Sequence, residues 1–283
     1  MSILIGLIPA LVWGLLPVSV SKIGGKPVNQ ILGTAAGAFV VALAVFLYLR
    51  PELAARDMAL SAASGALWIL GQTGQYQAYR RIGVSKAVPI SAGMQMVGTS
   101  LIGVLAFGEW PSATGKLMGF GALAVIILGI GLTSLRSKGD GTPLDKGTLL
   151  LLFLTNFGYL AYSSIPNVVS AKGAAIFLPQ ATGMLCAALA YAMFGGHRTA
   201  PMEAASWKNM FSGLLFSIGA LAYIISAQRN GIATGFVLSQ LNVLVSTICG
   251  IVILKEKKTP LELKATAAGL ALILLGGTAT ALM

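Results

Sequence analysis

A single histidine, two cysteines and eight acidic residues among 283 are too few for most catalytic or metal chemistry. A metal centre or an acid–base active site ordinarily gathers several His, Asp, Glu or Cys side chains. His197 has no carboxylate motif around it, and neither a phosphate-binding loop nor a dinucleotide fingerprint occurs. Cys186 and Cys249 each fall singly within an apolar run, which predicts packing rather than a disulfide or a metal site. These absences argue against an enzyme and lead us to expect no cofactor and no metal. The acids, Glu52, Asp57, Glu109, Asp140, Asp145, Glu203, Glu256 and Glu262, all stand at or beyond the ends of apolar runs, so no proton carrier is expected at mid-membrane depth.

Charge is scarce as well. Only 10% of residues are charged and 56% are hydrophobic, which leaves too little polar surface to cover a soluble globule. A membrane-crossing helix needs about 20 apolar residues. Ten such stretches can be placed, at 2–21, 30–49, 58–80, 84–107, 115–134, 147–171, 174–194, 207–228, 232–254 and 263–282. The expected fold is therefore all-α, a polytopic membrane protein of ten transmembrane helices with almost nothing left for a soluble domain.

The net charge of +11 is compatible with nucleic acid, but its distribution points to the lipid bilayer as the partner. Loops after odd-numbered helices hold 14 of the 19 Lys and Arg residues, and the opposite set holds Arg50, Arg56, Lys116, Lys172 and Arg229. Retained positive charge marks the cytoplasmic side. Both termini are thus expected outside, with the linker 136–146 cytoplasmic. Residues 1–21 lack a basic front and precede their first lysines, which predicts an uncleaved helix.

An internal repeat organises the chain. Pro17, Ser21 and Gly24 recur as Pro166, Ser170 and Gly173; Gln30 and Gly33 as Gln180 and Gly183; Arg81 and Gly83 as Arg229 and Gly231; Glu109 as Glu256. The units are 1–135 and 147–283, five helices each, and an odd number forces the second copy to enter from the opposite side. Such inverted repeats are transporter architecture, able to open a central site alternately to each side.

Polar groups inside the spans are costly unless they face a partner or a watery cavity. On the third span Trp68, Gln72, Gln75, Tyr76 and Tyr79 recur at helical spacing and form one polar-aromatic stripe. Trp13, Gln95, Asn156, Tyr159 and Asn242 lie near other midpoints, with Tyr162 the repeat partner of Trp13 and Gln95 aligned with Asn242. Gln180 stands nearer a helix start, where capping or gating competes with binding. Neutral carboxamides that donate and accept, beside flat aromatic faces, suit a sugar: hydroxyls for the amides, a C–H face for the rings. The structural alternative for each amide is interhelical bonding contributing on the order of 0.6 kcal/mol. Glu109 and Glu256, on opposite sides, are candidates for gating or coupling, against a purely structural capping or lysine-pairing role. Gly33 with Gly37 and Gly115 with Gly119 predict close helix contacts, Pro17 and Pro166 hinges, and Trp110 and Trp207 membrane interfaces.

The segments Ile8-Pro9-Ala10-Leu11-Val12-Trp13-Gly14, Gly24 to Thr34, Gly71-Gln72-Thr73-Gly74-Gln75-Tyr76-Gln77-Ala78-Tyr79 and Ile82 to Ser91 resemble bacterial glucose and ribose uptake proteins. That family belongs to the ten-helix drug/metabolite transporter superfamily, whose repeats end as Gly108-Glu109-Trp110 and Lys255-Glu256-Lys257 do here. The resemblance covers the whole chain. It implies monosaccharide uptake with protons in a bacterial plasma membrane, although no residue here matches an established proton site. An exporter of small neutral metabolites or drugs is the alternative within transport, and an integral membrane enzyme the alternative outside it.

Overall fold

In the computed structural model of the protein, residues 2–108, 110–135, 145–171, 173–230 and 232–282 are described, with the backbone alone for 2, 227, 228 and 232–234. Among them the regular structure is entirely helical: α1 Ser2–Ile23, α2 Pro27–Leu49, α3 Ala55–Ile82, α4 Val84–Ala106, α5 Ala113–Thr133, α6 Lys146–Ser164, α7 Phe177–Phe194, α8 Ala204–Lys208, α9 Met210–Asn230, α10 Ile232–Gln240, α11 Asn242–Val252 and α12 Pro260–Ala281. Helix starts carry the expected chemistry. Ser112 accepts from Gly115 N–H, Asp145 from Gly147 and Thr148, and Thr259 forms a capping box with Glu262. Gly83 alone joins α3 to α4 at φ +82°, a left-handed conformation that side chains disfavour.

Nine segments among the described residues are long and apolar enough to cross a membrane. The third of the ten expected spans is not one of them. Although α3 has 28 residues, roughly 42 Å at 1.5 Å each, its polar stripe and terminal charges lower its hydropathy. It is instead wrapped by protein, with Ser61, Ser64, Trp68, Gln72, Tyr76 and Tyr79 all buried. Apolar side chains such as Tyr48, Leu105 and Phe194 face outward, as lipid requires.

The helices pack in matching sets: α1 on α9 and α3 on α6, α2 on α9 and α3 on α7. Small residues permit these approaches. A Cβ on Gly71 would stand 2.6 Å from the Tyr159 ring, and one on Gly219, 148 residues later, would overlap the Trp13 ring at Nε1. Where α2 packs on α9, a Cβ on Gly213 would come within 2.7 Å of the Gly37 Cα. At the centre, Trp68 of α3 and Phe216 of α9, also 148 residues apart, meet with ring centroids at 5.1 Å.

Several local expectations are corrected. The sixth span ends its α-helix at Ser164, and Pro166 falls in a short 3-10 turn because it cannot continue an α-helical ladder. The ninth span is broken at Leu241 into α10 and α11. Trp110 is 3% exposed, packed edge-on to Phe120 and over Gly119, so neither Trp110 as an interface marker nor Gly119 as a helix-contact residue holds. Cys186 is exposed on α7 rather than packed. Of the linker 136–146, residues 136–144 lie outside the described residues.

Candidate functional site

The stripe on α3 meets α6 through one tyrosine. Tyr159 Oη lies 2.8 Å from Gln72 Oε1 and 2.6 Å from Gln75 Oε1. One hydroxyl proton cannot serve both oxygens. Turning the Gln72 amide by 180°, which exchanges its O and N, lets its N–H donate to Tyr159 while Tyr159 donates to Gln75. In either orientation Gln72 keeps one buried amide atom without a partner; in the recorded one it is Nε2. Asn156, one turn before Tyr159 on the buried face of α6, has an unpartnered Oδ1. Such atoms each cost about 1–3 kcal/mol while unpaired. Gln30, Ser61, Asn209 and Thr247 also carry orphan atoms. Gln72 and Asn156 differ from them in flanking the polar tyrosine and its aromatic wall, where Trp68 stands 6.5 Å from Tyr159, 6.5 Å from Tyr162 and 5.1 Å from Phe216.

The other expected residues divide. Trp13 donates Nε1–H to the Phe216 carbonyl at 3.0 Å and lies 6.0 Å from Tyr223, across α9. Tyr79 is buried against Tyr76, which shares a 2.9 Å hydrogen bond with Thr34. Gln180 donates to Ser64 at 3.1 Å and acts as interhelical glue. Gln95 donates to Ser91 on its own helix, and Asn242 turns back to the Ser239 carbonyl freed by the α10–α11 break. Glu109 lies outside the described residues.

A cavity of 660 Å³ lies where α4, α6 and α12 end, within the range of small-molecule sites. Its walls include Thr99, Ser100, Ser163, Ser164, Asn167 and Tyr223, none of which the sequence had singled out. The expected binding residues do not line it but adjoin residues that do. Thr99 is one turn beyond Gln95 and bonded to its carbonyl, Ser163 one turn beyond Tyr159, and Tyr223 against Trp13. Tyr223 follows Gln75 by 148 residues, so the repeat itself carried the signal.

At the opposite end one carboxylate bridges two elements. Glu256 accepts from the N–H groups of Val84 at 2.6 Å and Ser85 at 2.9 Å, binding the loop after α11 to the first turn of α4. A Cβ on Gly83 or Gly250 would press on the same carboxylate. Nearby, Lys258 donates to Thr266, and burial with repulsion from Lys86 brings its pKa down to about 8, against the attraction of Glu256 and Glu262.

Comparison with known proteins places this arrangement. A family model described as sugar transport protein matches residues 4–283. A Listeria monocytogenes protein named for sugar uptake is 45% identical over 98% of this chain and 98% of its own. A Latilactobacillus sakei protein named for ribose uptake is 45% identical over 99% and 98%, and one of Enterococcus faecalis 42% identical over 100% and 99%. These relatives are named for uptake rather than catalysis. A protein of known crystal structure aligns with a TM-score of 0.65 over 100% of this chain and 98% of its own at 15% identity, which speaks to the fold alone.

Proposed function

Since the chain belongs to the sugar transport protein family and is a multi-pass membrane protein, we propose that it carries a monosaccharide, glucose or ribose, across the bacterial plasma membrane by alternating access, with proton-coupled uptake. The observation that carries this reading is the Tyr159–Gln72–Gln75 cluster, neutral and aromatic-walled, with one orphan amide atom on Gln72 and an orphan acceptor on Asn156. Adjacent sugar hydroxyls both donate and accept, so one ring supplies what both atoms lack. Trp68, Tyr162 and, from the α9 side, Trp13 offer faces for its C–H surface.

Alternating access rests on ten spans in two inverted halves, 1–135 and 147–283. The matched packing of α1 on α9 and α3 on α6 supports that symmetry, and the burial of α3 supports its counting as the tenth span despite its polarity. The charge pattern supports termini outside and the linker 136–146 inside. In that orientation the 660 Å³ cavity is an outer vestibule and Glu256 closes the inner end. Glu109, its repeat equivalent, is assigned the same part in the opposite state on sequence grounds alone.

Uptake of radiolabelled glucose and ribose into proteoliposomes, with and without an inward proton gradient, tests the proposal. Saturable uptake that the gradient accelerates and Gln72→Ala abolishes is the expected result. No uptake of either sugar overturns it in favour of export of small neutral metabolites.

A further inference from the structure

On the same face as Glu256, but beside the transport path, a second cavity of 430 Å³ lies between the start of α2, the end of α3 and the loop after α7. Lys26, Arg80, Arg81 and His197 converge on it from these three elements, with Gln77 and Tyr191 between them. Positive charge here as a topology signal requires only that the residues lie on this face. Their convergence on one hollow is a further fact.

The local chemistry leaves that charge uncompensated. Lys26 is the N-cap of α2, whose first turn holds no acid, so a cation that cannot accept a hydrogen bond stands at the positive end of a 23-residue helix. The acids that act on the cluster are engaged elsewhere. Glu203 accepts from Asn29 and Thr199, which hold it below the usual carboxylate range together with the charges of Lys26 and His197. Asp145, near enough to Arg81 to be influenced by it, accepts from Gly147 and Thr148 at the start of α6. Neither is within ion-pair distance of Lys26, Arg80 or Arg81 among the described residues. Among the described residues, three permanent cations against two committed carboxylates leave the hollow net positive.

We propose that this pocket binds a phosphate group. Two guanidinium forks match phosphate oxygens in pairs, Lys26 adds a point charge, and Gln77 and Tyr191 supply neutral donors. The same chemistry is offered by an anionic phospholipid headgroup on the basic face of the membrane and by free phosphate or a phosphate monoester. Either occupant would hold α2, α3 and the α7 loop together, independently of which solute the protein carries.

The test uses the full chain purified in neutral detergent. Thermal unfolding is followed with phosphatidylglycerol, phosphatidylcholine or inorganic phosphate, against chloride at matched ionic strength, in wild type and in the double variant Arg80→Gln with Arg81→Gln. The expected result is an upward shift in wild type that the double variant loses and that added salt weakens. Should the double variant not fold, Lys26→Gln, outside α3, makes the same comparison. A shift with phosphatidylglycerol but not with phosphate assigns the headgroup; a shift with phosphate assigns a free phosphate. No shift with either, a shift of equal size with phosphatidylcholine, or the same shift in the variants overturns the proposal.

Discussion

Glu256 accepts a 2.6 Å hydrogen bond from the backbone N–H of Val84, tying the loop after α11 to the first turn of a helix 172 residues earlier. A second bond from Ser85 shares the load. Charge-assisted bonds of this kind contribute about 1.5–3 kcal/mol each. Glu256→Ala removes both, and Glu256→Gln keeps one acceptor without the charge. Half-buried Cys249 stands just before Gly250, on which this contact packs. In a Cys186→Ser background, its alkylation is expected to be fastest in Glu256→Ala, intermediate in Glu256→Gln and slowest with Glu256 intact. Equal rates would show that the contact does not hold this end closed.

Tyr159→Phe keeps the ring against Trp68 and Gly71 but deletes the hydroxyl that both glutamines share. The stability cost should be about 1–3 kcal/mol, from buried amides left unpaired. Initial sugar uptake per folded molecule should fall by about tenfold or more, since 1.4 kcal/mol of lost binding corresponds to tenfold. Unchanged uptake would remove Tyr159 from the path.

Gly37→Ala places a methyl group against the backbone of Met210 and Gly213, where no side chain can rotate away. A loss of about 1–3 kcal/mol is expected by overpacking. Gly121→Ala, on an α5 face with nothing within 4 Å, should gain up to about 1 kcal/mol from the reduced freedom of the unfolded chain. Thermal unfolding of the two variants in one detergent makes the comparison.

The lowered pKa of Lys258 has a definite sign. Between about 8 and the ordinary lysine value the unfolded chain binds more protons than the folded one, so this residue makes stability rise with pH across that window. Below about pH 8 its charge is held at full cost in the folded protein. Lys258→Met removes that cost, so the unfolding temperature of the variant relative to wild type should be highest at pH 7.5 and should decline by pH 9.5. A pH-independent difference would contradict the assignment.

The α3–α6 cluster was legible because Trp68, Gln72 and Gln75 recur at helical spacing on a helix otherwise apolar enough to display them. Tyr223 was not, since a tyrosine alone in an apolar run reads as packing unless the repeat offset from Gln75 is applied to it. Asn242 was assigned to the centre on its depth. The break at Leu241, which no proline or glycine announces, left a carbonyl on Ser239 for its amide to bind. Trp110 was read as an interface marker, yet the glycine one turn into α5 gives its ring a buried seat. Depth and residue type were thus readable, whereas which neighbour a polar group turns towards depended on helix ends that one-dimensional periodicity does not contain.

The burial of α3 also bears on how the protein is made. Its Gln72 and Gln75 meet Tyr159 of α6, and its Ser64 meets Gln180 of α7, helices that the ribosome completes only after α4 and α5. In the interval Tyr76 has its partner Thr34 on α2, but Gln72, Gln75 and Ser64 lack theirs, on a helix not apolar enough to count as a span by hydropathy alone. On this packing α3 gains those partners only once the chain beyond residue 145 has been made.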